Sequence, residues 1–222
     1  MGWSEPIDLY CERTGPAFWA EPVNAVTNIA FLIAAYAAWR LWRRAGTDDP
    51  FVPALIVLAA VVGLGSFAFH TLATRGAALL DVIPIALFVH AYLLFALIRF
   101  VGLRLLTALL IVIAFFVAAR VASGLLPADV LNQSGDYLPV LVALIVVGSV
   151  VRARPAGRAI LLAAGVFAVS LTFRTIDIAV CDAFPLGTHF VWHMLNAVVI
   201  YILLRAAALA GALEKGRHPA AR

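Results

Sequence analysis

The sequence predicts an all-α integral membrane protein with seven transmembrane helices. Of its 222 residues, 64% are hydrophobic and 13% are charged, whereas soluble domains contain about 45–50% apolar and about 25% charged residues. The apolar residues form seven blocks, most of them close to the roughly 20 residues that a helix needs to cross a bilayer. None of these blocks alternates apolar and polar residues, as the strands of a membrane barrel do.

The predicted spans follow one another with short linkers. They are Val23–Trp42, Val52–Thr71, Ala77–Ile98, Leu103–Ala119, Tyr137–Val151, Ala159–Ile176 and Phe190–Leu209. Arg120 and Asp136 crowd the ends of the fourth and fifth spans, which are the weakest. The longest linker, Ser123–Asp136, contains proline, glycine, asparagine and aspartate and is predicted to be a loop. The resulting organisation is an N-terminal segment (1–22), a helical membrane domain (23–212) and a polar tail (213–222).

The distribution of charge predicts the orientation. Seven spans place the two termini on opposite sides, and the cytoplasmic side of a membrane protein carries the excess of Lys and Arg. Twelve of the sixteen basic residues fall on the side of the C-terminus. We therefore expect the N-terminus outside and the C-terminus in the cytoplasm. The net charge of +4 follows from this topology, so no nucleic-acid partner is inferred. The segment before the first span lacks the basic start and apolar stretch of a signal peptide.

Five polar side chains are predicted to lie at one depth. Ser66 and His70 are near the outer end of the second span, Asp81 is near the outer end of the third, and His189 and His193 begin the seventh. The alternating directions of the spans place all of them in the outer leaflet. Ser66 and His70 share one helix face at spacing i,i+4, as do His189 and His193. Because ionisable groups inside a membrane are costly, they indicate a functional site.

Three histidines on two helices suit a zinc ion. Neutral imidazole is a favoured zinc ligand, and three protein ligands leave a fourth position open, as in catalytic sites. Such an ion lowers the pKa of water to about 7 and polarises a carbonyl. Apolar residues separate His189 from His193, so the base of an HExxH motif is missing. Asp81 is the one acidic residue within the predicted spans and is the candidate proton acceptor; Ser66 is a candidate oxyanion donor.

Each of these residues also has a simpler interpretation. A histidine in a membrane helix can hydrogen-bond a neighbouring helix, which is our interpretation of His90. The simpler interpretation of Asp81 is a residue at a helix end near the membrane interface. Ser66 follows Gly63 and Gly65, and such a patch of small residues also permits close helix packing.

The N-terminal segment contains a second polar cluster. Oxygen-bearing side chains occur at Asp8, Tyr10, Glu12 and Thr14, and Glu21 follows. A calcium ion takes several oxygens from a flexible loop, so a calcium site is one interpretation and a solvated acidic loop is an equal one.

The two cysteines, Cys11 and Cys181, both lie on the predicted outer side. An oxidising compartment would permit a disulfide there; two unpaired thiols are the alternative.

Three stretches resemble the alkaline ceramidase family, seven-span zinc amidases of a wider superfamily that includes adiponectin-type receptors and haemolysin-like proteins. They are Cys11-Glu12 with Glu21–Asn28, then Gly65–Leu72 followed by Leu80–Pro84, and finally the HxxWH-type run His189–His193. The sequence departs from the family in three respects. Leu9 stands between Asp8 and Tyr10, where the family commonly places aspartate directly before the aromatic residue. Val82 replaces an acidic residue that often follows the aspartate, and Asn196 and Ala197 stand where a glycine is usual after the last motif.

The resemblance implies a role for each candidate residue. His70, His189 and His193 would bind zinc, Asp81 would be the general acid/base and Ser66 would assist the oxyanion. The N-terminal acids would hold calcium, and Cys11 would pair with Cys181. The implied activity is hydrolysis of a lipid amide such as ceramide, entering from the surrounding membrane lipids, to a long-chain amine and a fatty acid. The active site would lie toward the extracytoplasmic side.

Other functions fit parts of the pattern. A receptor-like or ester-hydrolysing member of the same superfamily is the first alternative. A haem protein with two axial histidines is the second. A transporter is the third, although its ionisable groups would be expected near mid-membrane. No feature of the sequence indicates an oligomeric state.

Overall fold

The computed structural model describes the backbone of residues 2–125 and 130–215, and their side chains except at 130 and 211–215. Part of the predicted loop (126–129) and most of the predicted tail (216–222) lie outside the described residues. The described part of the chain is mainly helical and contains no strand. The predicted all-α class is confirmed.

Eight α-helices form the described part of the chain. They are α1 (Pro22–Thr27), α2 (Ile29–Ala45), α3 (Phe51–Leu72), α4 (Arg75–Ala96), α5 (Leu105–Leu125), α6 (Leu138–Val150), α7 (Pro155–Ile176) and α8 (His189–Lys215). A π-helical turn, Leu97–Val101, extends α4, and a 3-10 segment, Val130–Tyr137, precedes α6. Since α1 and α2 form one span, seven spans in this part of the chain are long and apolar enough to cross a membrane. The predicted number of spans is confirmed.

The predicted loop Ser123–Asp136 begins too early in the sequence, whereas its second half is irregular, with left-handed backbone at Leu131, Asn132 and Gln133. Helix α5 continues to Leu125 and the 3-10 segment begins at Val130. Arg120 therefore lies inside the fourth span rather than beyond it. Its side chain is exposed, and a long cationic side chain on a helix surface can extend to the membrane interface while its stem stays on apolar surface. The arginine consequently does not end the helix.

The regular helix of the first span is interrupted at Asn28, between α1 and α2. The side-chain amide of Asn28 donates a hydrogen bond to the carbonyl of Asn24 at 2.9 Å, and both residues are almost fully buried. Asparagine side chains that bond the nearby backbone compete with regular helix. The interruption leaves a short helix, α1, at the end of the molecule where α3 ends and α8 begins. We call this the N-terminal end of the bundle.

Helices α3 and α4 are in backbone contact at Gly65. A Cβ atom at this position would lie 1.9 Å from the carbonyl oxygen of Leu80, so glycine is required for the approach. The contact places Ser66 next to Asp81, the residues that follow on each helix. Two predicted site residues are thereby held on adjacent helices.

Helix α8 lies at the centre of the bundle and packs against α2 and α7, with smaller contacts to α1 and α3. Helix α5 is peripheral, and Ala108 is its one buried side chain. Large apolar side chains cover the outside; Leu106 is 70% exposed and Leu125 77%. Extensive exposed apolar surface is expected on a protein that contacts lipid.

The N-terminal segment covers the N-terminal end of the bundle. Ile7 donates its backbone N–H to Ala73 at 2.7 Å, and Gly76 donates to the carbonyl of Trp3 at 2.9 Å. Cys11 forms a disulfide with Cys181, with the two Cα atoms 5.4 Å apart. The disulfide that the resemblance implied is confirmed, and it fastens this segment to the connection between α7 and α8.

Candidate active site

The structure brings the three predicted histidines together. His70 lies near the end of α3, and His189 and His193 lie on successive turns at the start of α8. All three are at least 98% buried. One nitrogen from each lies within 4.8 Å of the others, and the described residues contain no second such group of histidine, cysteine or acidic side chains. Their ring centroids are 4.5–5.2 Å apart. The cluster can hold a metal ion.

Glu21 orients His70. Its Oε2 lies 2.6 Å from His70 Nδ1, which leaves Nε2 as the free nitrogen of that ring. Nε2 is buried and has no hydrogen-bond partner. Burial would raise the pKa of the Glu21 carboxyl, but its hydrogen bonds and charge contacts with His70 and Arg13 lower that pKa below the ordinary value. A carboxylate on the second nitrogen of a metal-binding histidine fixes the tautomer and strengthens the ligand.

Thr27 performs the same task for His193. Its hydroxyl donates to the carbonyls of Val23 and Asn24, at 2.8 and 3.0 Å, and its Oγ1 lies 3.1 Å from His193 Nδ1. Because the hydroxyl proton is engaged, Oγ1 accepts from Nδ1–H. The lone pair of His193 is therefore on Nε2, as metal binding requires.

His189 is positioned by a ring and by a carboxylate. The Tyr10 ring stacks on its imidazole, with centroids 3.7 Å apart. Asp177 Oδ1 accepts the backbone N–H groups of Thr188 and His189 at 2.6 and 2.9 Å, and so caps the start of α8. Its Oδ2 accepts from the backbone N–H of Cys11 at 3.0 Å. His189 Nδ1 is buried without a hydrogen-bond partner. Burial raises the pKa of the Tyr10 phenol, so the ring that stacks on His189 stays uncharged.

Ser66 and Asp81 lie beside the histidines. Ser66 is 4% exposed and is within hydrogen-bonding reach of the Asp81 carboxylate. Asp81 Oδ1 is buried and lacks a hydrogen-bond partner. Both residues line the same cavity as His189 and His193. The structure thus brings together the predicted proton acceptor, the predicted oxyanion donor and the metal-capable cluster.

The cavity is polar at one end and apolar along the rest of its length. Along α8 its lining runs from His189 to Leu203, a distance of about 20 Å in an α-helix. Phe88 and Leu93 on α4 and Leu144 on α6 line the apolar part. The shape matches a molecule with a polar head and a long apolar chain.

Arg174 is a cavity residue that sequence reasoning counted only as a charge on the outer side. It is 7% exposed, and its Nη1 donates to the carbonyl of Asn132 at 2.7 Å and to Ser134 Oγ at 3.1 Å. Its guanidinium lies over the rings of Tyr137 and Trp192, 5.1 and 5.8 Å from their centroids. The 3-10 segment before α6 is thereby held against α7 at the polar end of the cavity.

The residues predicted to bind calcium do not fit that ion. Glu12 accepts the backbone N–H groups of Val23 at 2.6 Å and Asn24 at 2.7 Å, which caps the start of α1. Glu21 is engaged by His70 and Arg13. Asp8 and Thr14 are exposed, and Tyr10 stacks on His189. These oxygens are committed to other partners or face outward.

Sequence reasoning missed three positioning residues: Asp177, Thr27, and Glu21 in its contact with His70. Asp177 follows directly after α7 and gave no signal, because its partners lie 11, 12 and 166 positions away. Glu21 was assigned to calcium on its spacing. Thr27 belonged to a stretch that resembled the family, but no role followed from it.

Comparison with known proteins identifies the family. The sequence model of the family Ceramidase matches residues 10–221, nearly the whole chain. A search of curated proteins finds no match to the chain. The match includes all three histidines, Ser66, Asp81 and both cysteines. This membrane chain therefore belongs to the ceramidase family and is a ceramidase-like amide hydrolase.

Proposed function

We propose that this protein is a zinc-dependent lipid amidase, which hydrolyses ceramide or a related N-acyl lipid to a long-chain amine and a fatty acid. The observation that carries the proposal is one cavity with His189, His193, Ser66 and Asp81 at its polar end and apolar side chains along its length. His70 lies next to this end, in one cluster with the other two histidines. A site for a water-soluble amide would not need that apolar length.

The donor set fits zinc. Three neutral imidazoles are a typical catalytic zinc shell, which leaves a position open. His70 and His193 have their Nδ1 atoms held by protein oxygens, so Nε2 of each is available. Zinc in this cluster would polarise the amide carbonyl and acidify a water molecule.

Asp81 and Ser66 supply the remaining chemistry. The Asp81 carboxylate accepts the proton of the attacking water and returns it to the amine nitrogen as the amide bond breaks. The Ser66 hydroxyl donates a hydrogen bond to the oxygen that gains negative charge. The apolar wall excludes water from the acyl chain, and the neighbouring helices orient the amide beside Asp81.

The location of the site completes the proposal. With the N-terminus outside, the polar end of the cavity lies in the outer leaflet, and the substrate enters sideways from the bilayer. The excess of basic residues on the other side of the membrane supports this orientation.

The test compares His193→Ala with His90→Ala in purified protein. His90 Nδ1 bonds the carbonyl of Ala86 at 2.6 Å, and His90 lies outside the histidine cluster. We expect His193→Ala to lose bound zinc, measured by element analysis, and release of fatty acid from ceramide, whereas His90→Ala keeps both. Full zinc occupancy in His193→Ala would refute its role as a ligand. A parallel assay with an ester of the same chain length separates an amidase from an esterase.

A further inference from the structure

The position predicted to hold calcium contains a buried arginine. Arg13 is 7% exposed and lies in the sequence between Glu12 and Glu21, two of the three acids assigned to that ion. Its Nε donates to Glu21 Oε1. Its Nη1 donates to the carbonyl of Gly15 at 2.9 Å, and its Nη2 donates to the carbonyl of His70 at 3.0 Å. One guanidinium thus engages three oxygens from three parts of the chain.

These contacts are the kind that a calcium ion would otherwise make. A calcium shell consists of carboxylate and carbonyl oxygens gathered from a loop. Here a carboxylate and two carbonyls surround a guanidinium, whose planar fork matches such acceptors. A divalent cation beside it would meet a like charge in a poorly solvated place. The oxygens of Glu12 are also occupied, by the first N–H groups of α1.

The guanidinium acts on the candidate active site through Glu21. One Glu21 oxygen faces Arg13, and the other faces His70 and Asn24 at 2.6 and 3.2 Å. Arg13 therefore fixes the carboxylate that orients His70. It also donates a hydrogen bond to the backbone carbonyl of His70. Arg13 therefore supports the imidazole ring of His70 through Glu21 and the backbone of His70 directly.

We propose that Arg13 is a built-in organic cation that takes the place of calcium, and that it positions Glu21 and His70 without any added ion. The protein is consequently independent of calcium. Arg13 is a positioning residue, since it contacts neither the cavity nor a reacting atom.

The first experiment measures calcium binding to the unaltered zinc-loaded protein in detergent. Equilibrium dialysis with radioactive calcium is run up to about 1 mM, which covers even weak protein sites. We expect no saturable binding and an unchanged melting temperature, because a ligand of the folded state raises that temperature. Binding of about one ion per chain, or a rise of the melting temperature with calcium, would overturn the proposal.

The second experiment compares Arg13→Gln with Arg75→Gln. Arg75 pairs with Glu5 at 2.9 Å on the surface, where the two side chains are 44% and 46% exposed. A competing chelator measures the affinity for zinc. Arg13→Gln should weaken zinc binding about tenfold, as loss of a carboxylate–histidine contact does, and Arg75→Gln should leave it unchanged. Equal affinity in Arg13→Gln and the unaltered protein would contradict the positioning role.

A third variant, Arg13→Lys, covers failure of the glutamine variant to fold. Lysine keeps the positive charge but not the planar fork of the guanidinium. The zinc affinity of Arg13→Lys should therefore lie between that of the unaltered protein and that of Arg13→Gln. Where Arg13→Gln does not fold, Arg13→Lys should still bind zinc more weakly than the unaltered protein. Affinity equal to that of the unaltered protein would show that the fork is not needed. Neither experiment uses a lipid, so failure to cleave ceramide refutes the proposed function and leaves these results intact.

Discussion

Replacing Gly65 with alanine is expected to separate α3 from α4 at the candidate active site. The added methyl would lie 1.9 Å from the carbonyl oxygen of Leu80, whereas ordinary contacts begin near 3.4 Å. Because the obstacle is backbone, the two helices must move apart by about 1.5 Å, and a packed interior resists such a shift. Overpacking costs about 1–3 kcal/mol, and the better helix propensity of alanine returns about 0.5–1 kcal/mol. The net loss of stability is then about 0–2.5 kcal/mol.

The effect on catalysis should exceed the effect on stability. Ser66 and Asp81 flank the contact, so the shift moves the proposed oxyanion donor away from the proposed proton acceptor. A misplacement of 1 Å can cost about 100-fold in rate. The assay measures fatty-acid release and melting temperature in detergent. Gly165→Ala on α7 is the matched control, because no atom lies within 4 Å of its added methyl, and it should keep full activity. Unaltered activity in Gly65→Ala would refute the reasoning.

Two other substitutions test the supports of the histidines. Gly187→Ala combines a left-handed φ of +62° with contacts of 2.2 Å to Asp177 and 2.5 Å to Cys11, whereas Gly46→Ala has a φ of +61° and open space. We expect both substitutions to lower the melting temperature, because the left-handed backbone alone costs an alanine about 1–2 kcal/mol of stability. The loss should be larger at Gly187, where the added methyl also meets Asp177 and Cys11. Equal losses at the two positions would show that these contacts relax freely. Thr27→Val removes the acceptor for His193 Nδ1 and should weaken zinc binding about tenfold in a chelator titration, and an unchanged affinity would show that the hydroxyl does not set the tautomer.

The histidine cluster could be predicted from the sequence because it depends on short-range periodicity. The spacing of His189 and His193 places both on one helix face, and the alternating direction of the spans places His70 at the same depth. The residues that contact these rings could not be predicted in this way, because they lie far from the histidines in the sequence. Glu21 meets His70 across 49 positions, and Thr27 meets His193 across 166. Nothing local distinguishes these polar residues from a solvated loop, since their contacts arise only when helices pack.

The calcium prediction illustrates the same limit. Alternating oxygen-bearing side chains suit a metal loop, but Arg13 stands among them, and sequence spacing does not reveal where its side chain turns. In the packed structure it turns inward, since Glu21 and two carbonyls compensate its burial. The extension of α5 past Arg120 has a related cause, because the sequence does not reveal that this side chain faces outward.

The site draws its parts from opposite ends of the polypeptide. Glu21 and His70 enter the membrane early in synthesis, whereas the remaining two imidazoles belong to the final span, and the disulfide joins positions 170 residues apart. While the last helix is still inside the ribosome, the growing chain therefore carries one of the three imidazoles, that of His70. The proposed hydrolysis of membrane lipid, which needs all three imidazoles, would therefore begin only after the last span has been inserted.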